Sequence, residues 1–166
     1  MIFVTVGTSW TPFDRLLSAL ESLSTDEPLV VQHGASRIRP ARATCIDFLP
    51  FERVVELVRL SRAVVMHAGV GSIMVALANN RRPLVVPRLH RLGEAVDDHQ
   101  LPLARRLEDA GLVTVVEDVT RLSDALAAGA SAPLPLNGGG SPLADELREY
   151  LSLRVARARR APLEVE

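Results

Sequence analysis

The chain has 166 residues, 48% of them hydrophobic but only 4% aromatic, and a formal net charge of -1. That length suits one domain with a core of Val, Leu, Ala and Ile, a mix that favours helices packed on a parallel sheet over an all-β sandwich. The small net charge gives no reason to expect nucleic-acid binding, and the single cysteine, Cys45, excludes an internal disulfide and a cysteine metal cluster. The start Met1-Ile2-Phe3-Val4 lacks the basic head and long apolar stretch of a signal peptide. No apolar run approaches the roughly 20 residues that cross a bilayer. The expectation is a cytoplasmic protein that meets the inner face of a membrane only through a partner.

Ile2 to Val6 is an apolar, β-branched run that stops at Gly7-Thr8, and Pro12 opens a helical pattern through Phe13, Leu16, Leu17 and Leu20. Leu29–Gln32 and Thr44–Phe48 read as strands, with a loop or ragged edge between them. Phe51 to Leu60 reads as a helix and Ala63 to Met66 as a strand. The strand runs into His67-Ala68-Gly69-Val70-Gly71-Ser72 and then a helix from Ile73 to Ala78. Leu84–Val86 is a strand closed by Pro87. Arg88–Asp98 is polar and aperiodic, hence a loop. Gln100–Ala110 is a helix with Gly111 at its C-cap, Val113–Val116 the last strand, and Arg121–Ala128 a further helix. Residues 131–142 read as a Pro/Gly-rich linker and 143–166 as a helix with a charged tail, leaving 1–130 as the folded domain. The alternation predicts a single α/β, Rossmann-like domain whose mostly parallel sheet is covered by helices on both faces.

Ligands of open α/β sheets bind beyond the carboxyl ends of the strands. Three segments leave such ends with functional residues: Gly7-Thr8-Ser9, His67 to Ser72, and Pro87 onward. In the second, Gly69 and Gly71 permit close backbone approach, and a helix beginning near Ser72 offers free N–H groups and a positive dipole end to a diphosphate. His67 can donate to a phosphate or sugar oxygen. The same pattern also serves as a plain strand-to-helix turn whose glycines only close the packing, with Ser72 as N-cap. It is not the dinucleotide fingerprint, because Gly-x-Gly-x-x-Gly fails at Met74. In the loop, Asp98 or His99 can cap the next helix, and Gln100 at its start faces the rim. His33 follows a strand end. Asp97-Asp98 lacks the third carboxylate of a metal site, so neither metal nor cofactor is expected. Trp10 is either core or a partner surface, and Cys45 a buried strand residue.

Three segments together resemble the Alg13-like and PssE-like glycosyltransferase subunits. They are Phe3-Val4-Thr5-Val6-Gly7-Thr8 with Pro12-Phe13-Asp14-Arg15-Leu16; His67-Ala68-Gly69-Val70-Gly71-Ser72; and Pro87-Arg88 through Gly93-Glu94 to Val96-Asp97-Asp98-His99-Gln100 with Leu103-Ala104. The likeness covers roughly Met1 to Val116, and its last stretch looks most like the bacterial exopolysaccharide branch.

The resemblance implies the glycosyltransferase family 28 C-terminal domain, the donor-binding half of a MurG-type GT-B fold. It implies a UDP-sugar donor and a polyprenyl-diphosphate-linked glycan as acceptor. The acceptor half would come from a separate membrane-associated, Alg14-like or PssD-like subunit, and the catalytic base is not assigned to this chain. By the same resemblance His67 is the catalytic candidate. The donor contacts are Gly7, Thr8, Ala68, Gly69, Gly71, Ser72, Pro87, Arg88, Glu94, Asp98, His99 and Gln100. One departure stands out: Val75 and Ala76 lie where Alg13- and MurG-like chains carry a ribose-holding glutamate, which leaves Glu94 as the candidate for that contact. The alternatives are a non-catalytic, partner-stabilising subunit and a UDP-sugar epimerase-like enzyme.

Overall fold

A computed structural model describes residues 1–128; the expected linker and C-terminal helix lie outside the described residues. The described strands are β1 (Ile2–Thr5), β2 (Leu29–Gln32), β3 (Ala43–Ile46), β4 (Ala63–His67), β5 (Leu84–Val86) and β6 (Thr114–Val115). They form one sheet of order β3-β2-β1-β4-β5-β6 in which every neighbouring pair is parallel. The helices are α1 (Asp14–Glu21), α2 (Phe51–Leu60), α3 (Val70–Ala78), α4 (Gln100–Asp109) and α5 (Leu122–Ala127). This is the doubly wound α/β arrangement that the alternating pattern predicts.

Side-chain alternation along the strands divides the core into two layers. Ile2 and Val4 of β1, Ala63 and Val65 of β4, and Leu84 and Val86 of β5 pack with Leu16, Leu17 and Leu20 of α1 and Leu126 of α5. Phe3, Val64, Met66 and Val85 face the other way, onto Val58 of α2, Ile73 and Leu77 of α3, and Ala104 and Leu107 of α4. The central strands are buried on both faces, which is why their sequences are continuous apolar runs with no polar alternation. Edge strand β3 is only partly buried, so Cys45 is half-buried where a buried position was expected.

Two differences from expectation bear on the site. Helix α3 begins at Val70, inside the glycine turn, with Gly69 as its N-cap; Ser72 sits in the first turn and is not the cap. The polar loop after β5 contains a 3₁₀ turn at His90–Leu92, closed by Gly93 in the left-handed region (φ 68°). No helix among the described residues is long and apolar enough to cross a membrane.

Candidate active site at the sheet switch point

Strand order reverses between β1 and β4: the chain leaves β1 toward β2 on one side and reaches β4 on the other. At such a point the connections diverge and open a crevice beyond the strand ends. Gly7 follows β1 there, and His67 ends β4 beside it.

The glycines of this crevice serve different partners. Gly7 has φ 76°, and a Cβ on it would lie 2.8 Å from His67 Nε2 and closer still to Cε1. A Cβ on Gly69 would lie 2.8 Å from His67 Cδ2 and closer still to Nε2. The imidazole is therefore seated against the Cα atoms of both, and these two glycines make room for a side chain of their own chain. At Gly71, in the first turn of the helix that follows, a Cβ would meet nothing within 4 Å. His67 Nδ1 is sealed from solvent and has no hydrogen-bond partner among the described residues. Burial, reinforced by the nearby Arg88 guanidinium, holds the His67 pKa down at about 4. The ring is neutral at pH 7.

Helix α3 points its N-terminus into this crevice. Its first internal bond of this turn runs from Ile73 N–H to the Gly69 carbonyl (3.0 Å), and no side chain caps it. The N–H groups of Val70, Gly71 and Ser72 thus lie ahead of the first bonded turn, at the positive end of the helix dipole. Gly71 is exposed and Ser72 half-exposed. Thr8 is exposed on the neighbouring turn, whereas Ala68 and Pro87 are buried.

The Gly7 turn is held from below by a polar network that sequence reading missed. Thr5 Oγ1 donates to Gln32 Oε1 (2.6 Å), the Gln32 amide donates to the carbonyls of Gly7 (3.1 Å) and Asp47 (2.9 Å), and Gly7 N–H donates to Thr5 Oγ1 (3.2 Å). A glutamine ending an otherwise apolar strand was the available signal. His33 does not reach the crevice: it is buried, with Nε2 2.5 Å from Asp47 Oδ1 and Nδ1 2.9 Å from the Gly34 carbonyl.

Two of the expected ligand contacts turn inward. Arg88 is 2% exposed. Its Nη1 donates to the carbonyls of Thr11 (2.8 Å), Pro12 (3.3 Å) and Glu94 (3.0 Å), its Nη2 to that of Val6 (3.0 Å), and its guanidinium lies 4.6 Å from the Phe13 ring centre. Glu94 is also buried, and its carboxylate takes Arg15 on both oxygens (2.9 Å each) and the Leu89 N–H (3.0 Å). Through these contacts Glu94 links α1 to the loop after β5. The isolated polar residues of that loop gave no hint of a partner 79 residues away.

The same loop positions the remaining candidates. Gln100 is buried and its Oε1 accepts from Arg88 N–H (3.1 Å), which leaves its amide NH₂ as the free donor. Asp98 accepts from His90 N–H (2.8 Å) and does not cap α4, while exposed His99 contacts Asp97. Neither of the two hollows at the β6 end of the sheet, of about 260 and 420 Å³, is lined by His67 or the start of α3. With Thr8, Val70 and Gly71 exposed, the switch-point site forms a ledge. Exposed apolar side chains stand on segments that leave strand ends: Trp10 (90% exposed), Phe48, Val70 and Val96 (86%). Trp10 is therefore not core.

Residues 1–137 match the glycosyltransferase family 28 C-terminal domain. The structure is similar to that of CalG4, the calicheamicin glycosyltransferase, with a TM-score of 0.58, 15% identity, and coverage of 97% of this chain and 43% of that one. It is similar to the glycosyltransferase of kitacinnamycin (0.58, 20% identity, 97% and 43%) and to MurG of Acinetobacter baumannii (0.52, 18% identity, 95% and 49%). At these identities the likeness concerns the fold, and the chain spans less than half the length of each. No curated protein matches.

Proposed function

Because this chain belongs to the glycosyltransferase family 28 C-terminal domain family, we propose that it binds the nucleotide-sugar donor of a two-component, Alg13-like or PssE-like glycosyltransferase. The observation that carries the reading is the ledge at the switch point: the N–H groups of Val70, Gly71 and Ser72, open space at Gly71, and a neutral His67 alongside. The donor is a UDP-sugar whose diphosphate lies on the start of α3. Gly7 and Thr8 border it, and Gln100, with Asp98 and His99, meets the sugar. Ala68, Pro87 and Arg88 act from beneath, as parts of the frame.

Transfer breaks the bond between the sugar and the β-phosphate oxygen, so negative charge grows on that phosphate. Fixed N–H donors and the helix dipole stabilise it without reorganising. A neutral His67 adds one hydrogen bond and no charge. The acceptor hydroxyl is activated by a base outside this chain. The apolar ring of Trp10, Phe48, Val70 and Val96 supports a seam with a second half, the acceptor-binding, membrane-associated subunit. Through that partner the chain works at the inner face of the membrane on a lipid-linked glycan of exopolysaccharide synthesis.

The test is a titration of UDP into the purified chain followed by NMR, with and without the partner. Saturable shifts at Gly69–Ser72 and Gly7, weakened by Ser72→Ala, are expected. Absence of UDP binding even with the partner overturns the donor-site reading and leaves the non-catalytic alternative.

A further inference from the structure

Resting on the donor-site reading, the geometry points to Arg88 as a positioning residue for the donor diphosphate: a buried, unbalanced positive charge that ties three rim segments together beneath the ledge.

The charge has no carboxylate of its own. Arg88 is 2% exposed, and its hydrogen bonds all end on main-chain carbonyls: Val6 at the end of β1, Thr11 and Pro12 before α1, and Glu94 after β5. The nearest acidic group in this cluster, Glu94, is bound on both oxygens by Arg15. Two guanidiniums and one buried carboxylate leave one positive charge in the interior, with Asp118 near Arg15 only at the exposed edge. Both cations lie over the Phe13 ring, Arg88 at 4.6 Å and Arg15 at 5.4 Å from its centre. Arg88 Nε is buried with no partner among the described residues. A buried charge without a counter-charge is costly in isolation. A neutral apolar side chain of similar length would avoid that cost but leave four carbonyls without this donor, so the hydrogen bonds call for a polar group and the net charge for a further reason. The ledge supplies one. Val6 precedes the Gly7 turn, the Arg88 N–H orients Gln100, and the guanidinium is close enough to His67 to depress its protonation. An anionic diphosphate at the start of α3 is the counter-charge that this cluster lacks.

The test compares UDP with uridine, which share the base and ribose and differ in the diphosphate. Affinities are measured by NMR titration on the full chain for the wild type, Arg88→Met and Arg88→Lys. The wild type prefers UDP. Arg88→Met lowers the UDP-to-uridine ratio by about tenfold, the scale of one unit charge acting over about 12 Å at an effective dielectric of about 20. Arg88→Lys keeps most of that ratio even though its melting temperature drops. A merely structural arginine predicts that Arg88→Met weakens both ligands by the same factor, and that result overturns the inference. So does an equal loss of the ratio in Arg88→Lys. If neither variant folds, Glu94→Gln, which adds one net positive charge to the cluster, raises the ratio; an unchanged or lower ratio refutes the idea. A wild type that binds neither ligand, alone or with the partner, sinks the donor-site reading itself. A wild type that prefers UDP while the variants keep the same preference sinks only the role given to Arg88.

Discussion

Gly71→Ala separates the needs of the fold from those of the ligand. Gly71 lies in the first turn of α3, has no positive φ, and offers a Cβ nothing within 4 Å. The fold therefore gains from the change: alanine in a helix is better than glycine by roughly 0.5–1 kcal/mol, because glycine loses more backbone freedom on folding. For a domain of this size that raises the melting temperature by about 1–4 °C. The new methyl group occupies the space in which a diphosphate lies against the Val70, Gly71 and Ser72 N–H groups. Losing one charge-assisted hydrogen bond costs about 1.5–3 kcal/mol, a weakening of UDP binding by about tenfold to a hundredfold. The assay pairs a thermal melt with a UDP titration on one preparation. An unaltered UDP affinity refutes the placement of the diphosphate. A fall in melting temperature refutes the claim that only the ligand needs glycine here.

Gly69→Ala has the opposite signature. Its backbone (φ -82°, ψ 128°) suits alanine, so the main cost arises from displacing the His67 ring, with a smaller one from alanine at an N-cap. A loss of about 1–3 kcal/mol is expected in urea denaturation, nearly abolished in a His67→Ala background; additive effects would remove the ring from the explanation. The depressed pKa of His67 also makes stability depend on pH. The unfolded ring titrates near 6.5 and the folded one at about 4, so between these values the unfolded chain binds more protons. The contribution is complete above pH 6.5 and is lost as pH falls to 4, by about 3 kcal/mol. His67→Gln flattens that part of the profile in denaturation curves at pH 7.5, 6 and 5, and an unchanged slope contradicts the assignment. Glu94→Gln lowers the melting temperature, since it weakens the buried link to Arg15, yet changes affinity for UDP and for 2′-deoxy-UDP by the same factor. A selective loss of the UDP preference returns Glu94 to the ribose.

The periodicities placed β1 to β6 and α1 to α5 to within a few residues, because each strand is a short apolar run and each helix carries its core residues at three- and four-residue spacing. The largest error, the start of α3, came from reading Gly69-Val70-Gly71 as a turn when the last two already belong to the helix. Within the site, the residues beyond strand ends were legible, since topology alone sends Gly7 and His67 to one edge. Their division of labour was not. That Gly7 and Gly69 yield to an imidazole, while Gly71 does not, depends on where one ring packs. That Arg88 and Glu94 face inward depends on pairings with Thr11 and Arg15, more than 70 residues away, which no local pattern encodes.

The chemistry of the ledge also sets what the proposed second half would do. Its N–H groups border open solvent, where water competes for them, while Trp10 and Val96 hold large apolar surfaces out beside it. Covering those side chains removes apolar area from water and, in the same step, lowers the effective dielectric around the N–H groups. The two effects are coupled: a partner that closes the seam strengthens each hydrogen bond to the diphosphate, and a bound diphosphate strengthens the partner. By linkage the two enhancements are equal. UDP affinity measured with the partner therefore exceeds that of the chain alone by about fivefold or more, the lower end of ordinary coupling energies. Partner affinity rises by the same factor when UDP is saturating. Trp10→Ser weakens partner binding with little effect on UDP binding to the isolated chain. Identical UDP affinities with and without the partner would place the donor site away from the seam, and with it the reading of this rim as half of a cleft would fail.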